Sequence, residues 1–429
     1  MSLFSAFYSG LSGLATNASA LNVIGNNLSN LNTVGYKGSS TTFRDIFSTS
    51  LGGVSTQGNG NPIQFGLGVQ INSVAQDFSQ SSFQSTGNAL DMAVQGAGFF
   101  VLQPVGGGQT FTRAGNFNRN NDGFLVSANG ANVMGWGRDP ITGLLNTSTA
   151  IAPIQITTGT TSSAFATQNI RQGVNLNSAA TAGPTSVLQT PIQVYDSQGN
   201  SQNLIVTYTK TGVNSWSYSV SGPAGSTITQ ANPAAGSGTG TITFSPSGTL
   251  LDVNGLGNTF TSDPVLNINW GNGTTASAIK INIVNSDNSS NLTQYSAPSG
   301  TSSTFQDGYG AGTLKDLTVD QNGVVTGSFT NGQVIPLAQV ALATFNNNNG
   351  LVQQGNNQWS QSLASGSPTI GVANSSGRGG ILGANLELAN VDVASEFTKL
   401  ILSQRGYQAN GKIVTTTDQL LQETLNLKQ

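Results

Sequence analysis

The stretch NVDVASEFTKLILSQRGYQANGKIVTTTDQLLQETLNL, residues 390–427, decides the fold. Apolar residues recur in it at steps of three, four and seven: Val393, Phe397, Leu400, Tyr407, Val414, Leu421 and Leu425. That is a heptad stripe, the spacing that lines one face of a helix. Gln404, Gly411 and Asp418 interrupt it, so the seam is imperfect. Asp392 and Glu396 near the start and Lys428 near the end suit the helix dipole. At ~1.5 Å per residue this helix would run to about 60 Å. It cannot bury its stripe against itself.

A partner stands at the other end of the chain. Leu3, Phe7, Leu14, Leu21, Ile24, Leu28 and Leu31 keep the same rhythm, with Gly10 and Asn17 as its gaps. One such helix alone would read as an ordinary surface helix of a globular protein. A matched terminal pair, with hundreds of β-like residues between, predicts an antiparallel coiled-coil pair carrying a discontinuous body.

Composition narrows the function. The 429 residues suffice for two or three domains with cores of their own. Only 7% of residues are charged, 55 are Gly, and the formal net charge is −3. The 14 basic residues form no cluster, which argues against nucleic acid. No apolar run approaches the ~20 residues of a membrane span, so no membrane insertion is expected. The N-terminus MSLFSAFYSG lacks the basic and apolar regions of a secretory leader. Few charges and many Gly, Thr and Asn nonetheless suit an extracellular protein, so export without a cleaved leader is expected. With no Cys and no His, disulfides, thiolate zinc sites, Cys nucleophiles and His-based triads are excluded. The acidic residues of Asn121-Asp122-Gly123 and Asp320-Gln321-Asn322-Gly323 could in principle hold calcium. Hairpin turns needing positive φ account for them more simply. The Gly-rich runs at 106–108 and 377–380 lack the strand, Lys and helix of a phosphate loop. No cofactor, metal or catalytic group is assigned, and the chain does not read as an enzyme.

In chain order, the first helix stops where Asn and Gly crowd in at residues 26–38. Residues 39–65, with Phe43, Ile46, Phe47 and Leu51 spaced along a Ser/Thr/Gly-rich segment, suggest a short helix followed by a loose linker. From Val69 the pattern becomes β, through Met92-Ala93-Val94, Phe99-Phe100-Val101-Leu102, Phe111–Phe117 and Phe124-Leu125-Val126 to Val133-Met134-Gly135-Trp136. A second β unit, near 192–196, 204–210, 216–220, 241–244 and 279–284, has the strand spacing of a sandwich or barrel. Strands return at 314–319, 324–329 and 340–345 and could complete the first unit, making the second an insertion. The expected architecture is mainly β with terminal α. Residues 1–34 and 388–429 would form a helical core and 35–68 an extended linker. Residues 69–149 with 306–387 would form an inner β domain, and 150–305 an inserted outer β domain.

These residues carry a family resemblance. NLSNLNTVGYK (27–37), with Asn27, Asn30, Asn32, Thr33, Gly35, Tyr36 and Lys37, resembles the N-terminal motif of the bacterial flagellar axial proteins of rod, hook and hook-associated zones. LDMAVQG (90–96) and FTRAGNF (111–117) resemble their shared β-domain signature. SQRGYQAN (403–410), with Gln404, Arg405, Tyr407 and Asn410, resembles their C-terminal helix motif. Within that family VYDSQGNSQNL (194–204) is similar to the outer domain of hook proteins, an insertion the shorter rod proteins lack. The resemblance implies a structural subunit of a curved tubular polymer, the hook, acting as a universal joint between rod and filament. It implies a homopolymer that also meets distal rod, hook cap and hook–filament junction proteins. It implies delivery by the flagellar type III export apparatus. The other readings are a distal rod subunit, a secreted β-rich adhesin, and a hydrolase working through carboxylates.

Overall fold

The computed structural model describes residues 3–46, 48–50, 64–139, 143–157, 159–232, 236–259, 263–285, 287 and 289–426. Phe47, Leu51, Leu427, Lys428 and the side chain of Leu3 lie outside them. Two helices bracket the chain, α1 (Leu3–Ser29) and α2 (Val393–Asn426). The 34 residues of α2 span about 51 Å. Asp392 caps α2 by accepting from the Ser395 N–H at 2.7 Å, which satisfies one of the open donors of the first turn. The chain leaves α1 through a turn at Gly35, where φ is +65°. A Cβ there would lie 2.6 Å from the backbone of Arg113 and Ala114, so both conformation and space require glycine.

The chain forms two compact units. The first comprises Met1–Thr158, Asp316–Gly327 and Ile335–Gln429, and so contains both helices. In it Phe99–Gln103 pairs with Thr110–Thr112, Asn132–Gly137 and Leu342–Thr344. Two short ladders join distant parts of the sequence, Met92–Gln95 with Gly380–Gly383 and Phe83–Ser85 with Asn385–Glu387. Its core is aromatic. Phe99 meets Trp359 edge to face at 5.7 Å and Phe111 meets Phe345 at 4.8 Å, the geometry that ring quadrupoles favour. At Asp320 the carboxylate accepts from the Asn322 and Val324 N–H groups at 2.9 and 2.8 Å, capping a hairpin turn.

One expectation fails in this unit. Ser39–Asp45 is not a short helix but a strand, antiparallel to Val69–Gln76. The three–four spacing of Phe43, Ile46 and Phe47 imitated a helix. Thr41, Thr42 and Phe43 prefer extended backbone, and Thr42 and Ser73 hydrogen-bond across the ribbon at 2.8 Å. Ser12 of α1 accepts from the Val69 N–H at 3.2 Å, which ties the ribbon to the helix.

The second unit comprises Gly159–Lys315 and Ser328–Val334. It is a sandwich of two open sheets. One is a meander of Val187–Tyr195, Ser201–Gly212, Ser215–Ser221, Thr239–Phe244 and Leu250–Val253. The other orders Thr227–Asn232, Val265–Asn269, Ser277–Ile281, Asn169–Asn175 and Leu292–Thr293, with Gly300–Gln306 also on Asn169–Asn175. Strict alternation builds the shared core: Leu204, Val206 and Tyr208 from one sheet meet Ile170, Ile268 and Ile279 from the other. At the turn beyond Val194, Asp196 accepts from the Gln198 and Asn200 N–H groups at 3.0 and 2.9 Å.

Candidate assembly interface

The two helices pack antiparallel along a seam of small residues. Gly10 faces Val414, Gly13 faces Asn410 and Gly406 faces Asn17. A Cβ on Gly13 would lie 2.6 Å from the Asn410 amide, and one on Gly406 would lie 2.9 Å from Asn17 Oδ1. The two Gly–Asn pairs are reciprocal. Asn17 donates to Gly13 O at 2.8 Å and Asn410 donates to Gly406 O at 2.9 Å. Each asparagine therefore folds onto its own helix and fits over the glycine of the other.

Gly10 and Asn17, the gaps in the apolar rhythm of α1, both lie in the seam. Of the stripe residues, Ile24 is buried, while Phe7, Leu14, Leu21, Leu28, Leu31, Leu400, Val414 and Leu421 are half-buried. Val393, Phe397, Tyr407 and Leu425 are exposed. A straight helix drifts about 20° per heptad from a 3.5-residue repeat, so one heptad stripe cannot face one partner along all of α2. Further apolar side chains stand in solvent on the same helices. They include Phe4 and Tyr8 (each 61% exposed), Leu402 (66%), Ile401, Ile413 and Leu420.

At the base of the helix pair the 27–37 motif meets the start of α2, at Glu396. Asn27 is buried and accepts from the Ser39 N–H at 2.9 Å, while its amide donates to Ser39 O at 2.8 Å and Glu396 Oε2 at 3.2 Å. Tyr36 OH donates to Asn27 Oδ1 at 3.3 Å. Burial, and then the Glu396 carboxylate, hold the Tyr36 phenol above its ordinary range. Thr33 donates to Asn30 Oδ1 at 3.1 Å. Asn32 is exposed at the turn, and Gln404 and Arg405 are exposed on α2.

Beside this lies a charge cluster that sequence reasoning missed. Lys37 Nζ sits 2.7 Å from Glu387 Oε1 and Arg113 Nη1 3.5 Å from Glu387 Oε2, with the Glu387 side chain wholly buried. Lys37 also donates to Ser79 O at 2.7 Å, and Arg113 to Gly96 O at 2.7 Å. Ser81 N–H donates to the same carboxylate at 3.1 Å. Desolvation holds both cations below their ordinary pKa values, against the pull of Glu387. Lys37 and Arg113 stood out only as motif letters; the signal for Glu387 was a charge alternating with Leu386 and Leu388 in a chain with few charges.

The second unit buries one carboxylate of its own. Asp263 accepts from the Ile283 and Val284 N–H groups at 3.1 and 2.9 Å and faces Lys280 at 3.6 Å. Burial outweighs these contacts and raises its pKa from 3.8 to about 6. The folded value exceeds the unfolded one, so the proton stabilises the fold at low pH and that contribution is lost as pH rises through 6. The chain has no histidine or cysteine to mask this. We expect urea unfolding, followed by Trp216 and Trp270, to give about 1 kcal/mol more stability at pH 5 than at pH 8. Asp263→Asn should flatten that slope. Equal stability at the two pH values in the parent protein would refute it.

Among the described residues no helix is long and apolar enough to cross a membrane. Four family models match in series: flagella basal body rod protein at 7–37, flagellar hook protein FlgE/F/G D1 domain at 93–169, flagellar basal body protein FlaE D2 domain at 175–309, and flagellar basal body rod FlgEFG protein C-terminal at 383–427. The chain is 36% identical to the flagellar hook protein FlgE of Borreliella burgdorferi, over 99% of both chains. It is 32% identical to that of Salmonella typhimurium, over 99% of this chain and all of the other. The crystal structure of Helicobacter pylori flagellar hook protein FlgE2 superposes with a TM-score of 0.50 at 17% identity, covering 71% of this chain and all of that one. This chain belongs to the flagellar hook protein family.

Proposed function

We infer that the chain is a structural subunit of the flagellar hook, polymerising into a curved tube that passes torque from rod to filament. The observation that carries this is the apolar surface the helix pair leaves uncovered, from Phe4 and Tyr8 to Leu402 and Leu425. Surface of this kind on long helices marks an interface. The exposed stripe residues Val393, Phe397, Tyr407 and Leu425 are assigned to packing between subunits, and the half-buried ones to packing within a subunit and at its margins. Distal rod, hook cap and hook–filament junction proteins are the neighbours at the ends of the tube. Delivery by the type III export apparatus, unprocessed and to the cell exterior, belongs to the same reading. The match of residues 175–309 to the D2 domain supports a hook subunit over a rod subunit. Purified chain should sediment with seeds of broken hook. A chain that stays in the supernatant with seeds, at concentrations where related hook proteins assemble, would overturn the reading.

The sandwich is expected to be dispensable for tube formation and needed for hook mechanics. Thr161 pairs with Thr313 and Ser162 with Gly312, so the two ends of the insertion lie side by side. Units whose termini adjoin tolerate removal. Uncharged surfaces also suit neighbours that slide, because one hydrogen-bond partner or bridging water replaces another at little cost. Deleting 163–311 across a two-residue turn should leave polymers that are straighter and swim poorly. No polymer, or curved hooks with normal swimming, would refute this division of labour.

A further inference from the structure

Eight Asn-Gly pairs occur in the sequence, and seven of them lie among the described residues. Such a pair can close on itself, the glycine nitrogen attacking the asparagine side-chain carbon as ammonia leaves. The glycine N–H must first give its proton to base, a step that backbone hydrogen bonding suppresses just as it suppresses amide exchange. Six of the seven pairs are held back in this way. Gly130, Gly323, Gly332 and Gly350 each donate to the backbone carbonyl three residues earlier, at 2.9 to 3.2 Å. Gly255 donates to Asp252 Oδ2 at 2.6 Å, and Gly411 lies within the hydrogen-bonded turns of α2. The Gly273 N–H makes no hydrogen bond among the described residues.

Asn272 and Gly273 are exposed in the loop between Val265–Asn269 and Ser277–Ile281. The Asn272 side chain is held in one orientation. Its Oδ1 accepts from the Thr274 N–H at 3.2 Å and from the Thr274 hydroxyl at 2.6 Å, while Nδ2 donates to Asp196 Oδ2 at 2.8 Å. Negative charge develops on Oδ1 when the amide carbon is attacked, and two donors already stand there to receive it. We propose that Asn272-Gly273 is a deamidation site, chosen from the Asn-Gly pairs by the fold. Base takes the Gly273 amide proton and the nitrogen bonds to Asn272 Cγ. The Cγ–Nδ2 bond breaks, and Nδ2 leaves as ammonia with a proton from water. A second water opens the five-membered imide at either carbonyl, giving aspartate or isoaspartate. The sum is one water consumed and one ammonia released, with no change of oxidation state. The product sets a carboxylate against Asp196, which is buried at the turn beyond Val194. A donor to Asp196 thus becomes a second anion, and like charges in contact repel. The same turn holds the loop through Ser197, whose Oγ accepts from the Thr275 N–H at 3.2 Å. Deamidation therefore loosens the loop from the 196–200 turn and joins the two at one fewer point.

The test ages purified full-length chain at mildly alkaline pH, digests it in mild acid and follows each Asn-Gly peptide by mass. Asn272 should deamidate at least tenfold faster than Asn254, Asn322 or Asn331. In urea-unfolded chain the four rates should converge, because the fold no longer distinguishes them. Thr274→Val removes the hydroxyl but keeps the N–H, and should slow Asn272 at least threefold in the folded chain. Asn272→Asp, which carries the product's charge, should speed amide exchange at Thr275 and Asn200 at least tenfold. Deamidation of Asn272 no faster than of Asn322 would overturn the site, as would a lead that persists in urea or a rate that Thr274→Val leaves unchanged. Unaltered exchange in Asn272→Asp would overturn the loosening.

Discussion

Replacing Glu387 by alanine is expected to destabilise the first unit by about 3–5 kcal/mol, while Lys37→Met costs much less. The asymmetry follows from counting buried charge. Two cations, Lys37 and Arg113, share one carboxylate in a site closed to water. Removing Glu387 leaves both without a counter-charge and deprives the Ser81 N–H of its acceptor. Removing the Lys37 ammonium leaves one cation facing one anion, with Phe99 also beneath the Arg113 guanidinium at 5.4 Å. Desolvation already outweighs pairing at Lys37, since its pKa is lowered. A lowered lysine pKa means the folded state sheds the proton first, so stability rises as pH climbs toward the ordinary 10.5. Lys37→Met removes that penalty and that pH dependence together. Chemical unfolding read through Trp136 and Trp359 would measure both variants. Equal losses for Glu387→Ala and Lys37→Met would refute the assignment.

What the sequence made legible follows from which interactions are local. The sandwich strands were readable because Leu204, Val206 and Tyr208 fall on one face of a β-branched and aromatic run, with half-buried Ile205 and Thr207 between them, and because Asp196 and Gly199 mark a turn within a few residues. The helix pair was readable because a heptad stripe needs no knowledge of its partner. The face that meets the partner was not readable. Gly10, Gly13 and Asn17 gain their meaning from Val414, Asn410 and Gly406, some four hundred residues away. Glu387 was hidden for a related reason. It lies buried on a strand whose neighbour Leu388 is exposed, the reverse of the usual pattern. Only Lys37 and Arg113, brought in from two other segments, make that burial tolerable. Ser39–Asp45 was misread because apolar spacing outweighed the strand preference of Thr41, Thr42 and Phe43 in the absence of its ladder partner.

Gly13→Leu is expected to raise the concentration needed for assembly by about thirtyfold while leaving the sandwich folded. The seam closes because Asn410 fits where a Gly13 side chain would be, and Asn17 fits likewise over Gly406. A leucine at 13 must push α2 away or drive Asn410 off its bond to Gly406 O. Overpacking of this kind costs about 1–3 kcal/mol. The cost recurs at every subunit added, so 2 kcal/mol per subunit raises the concentration needed for assembly by about thirtyfold. Gly13→Ala should be milder, because the ~1 kcal/mol gained in helix propensity offsets part of the crowding. Adding Asn410→Ala to Gly13→Ala should restore assembly beyond the sum of the single effects, since it clears the space the new methyl needs. Gly25 tests the specificity, as nothing lies within 4 Å of its would-be Cβ. Gly25→Ala should leave the hairpin of α1 and α2 intact or firmer. Seeded sedimentation and amide exchange along α2 would read all four variants. If Gly13→Leu assembled at the parent concentration, or if Asn410→Ala failed to relieve Gly13→Ala, the reciprocal Gly–Asn seam would not be what holds the two ends of the chain together.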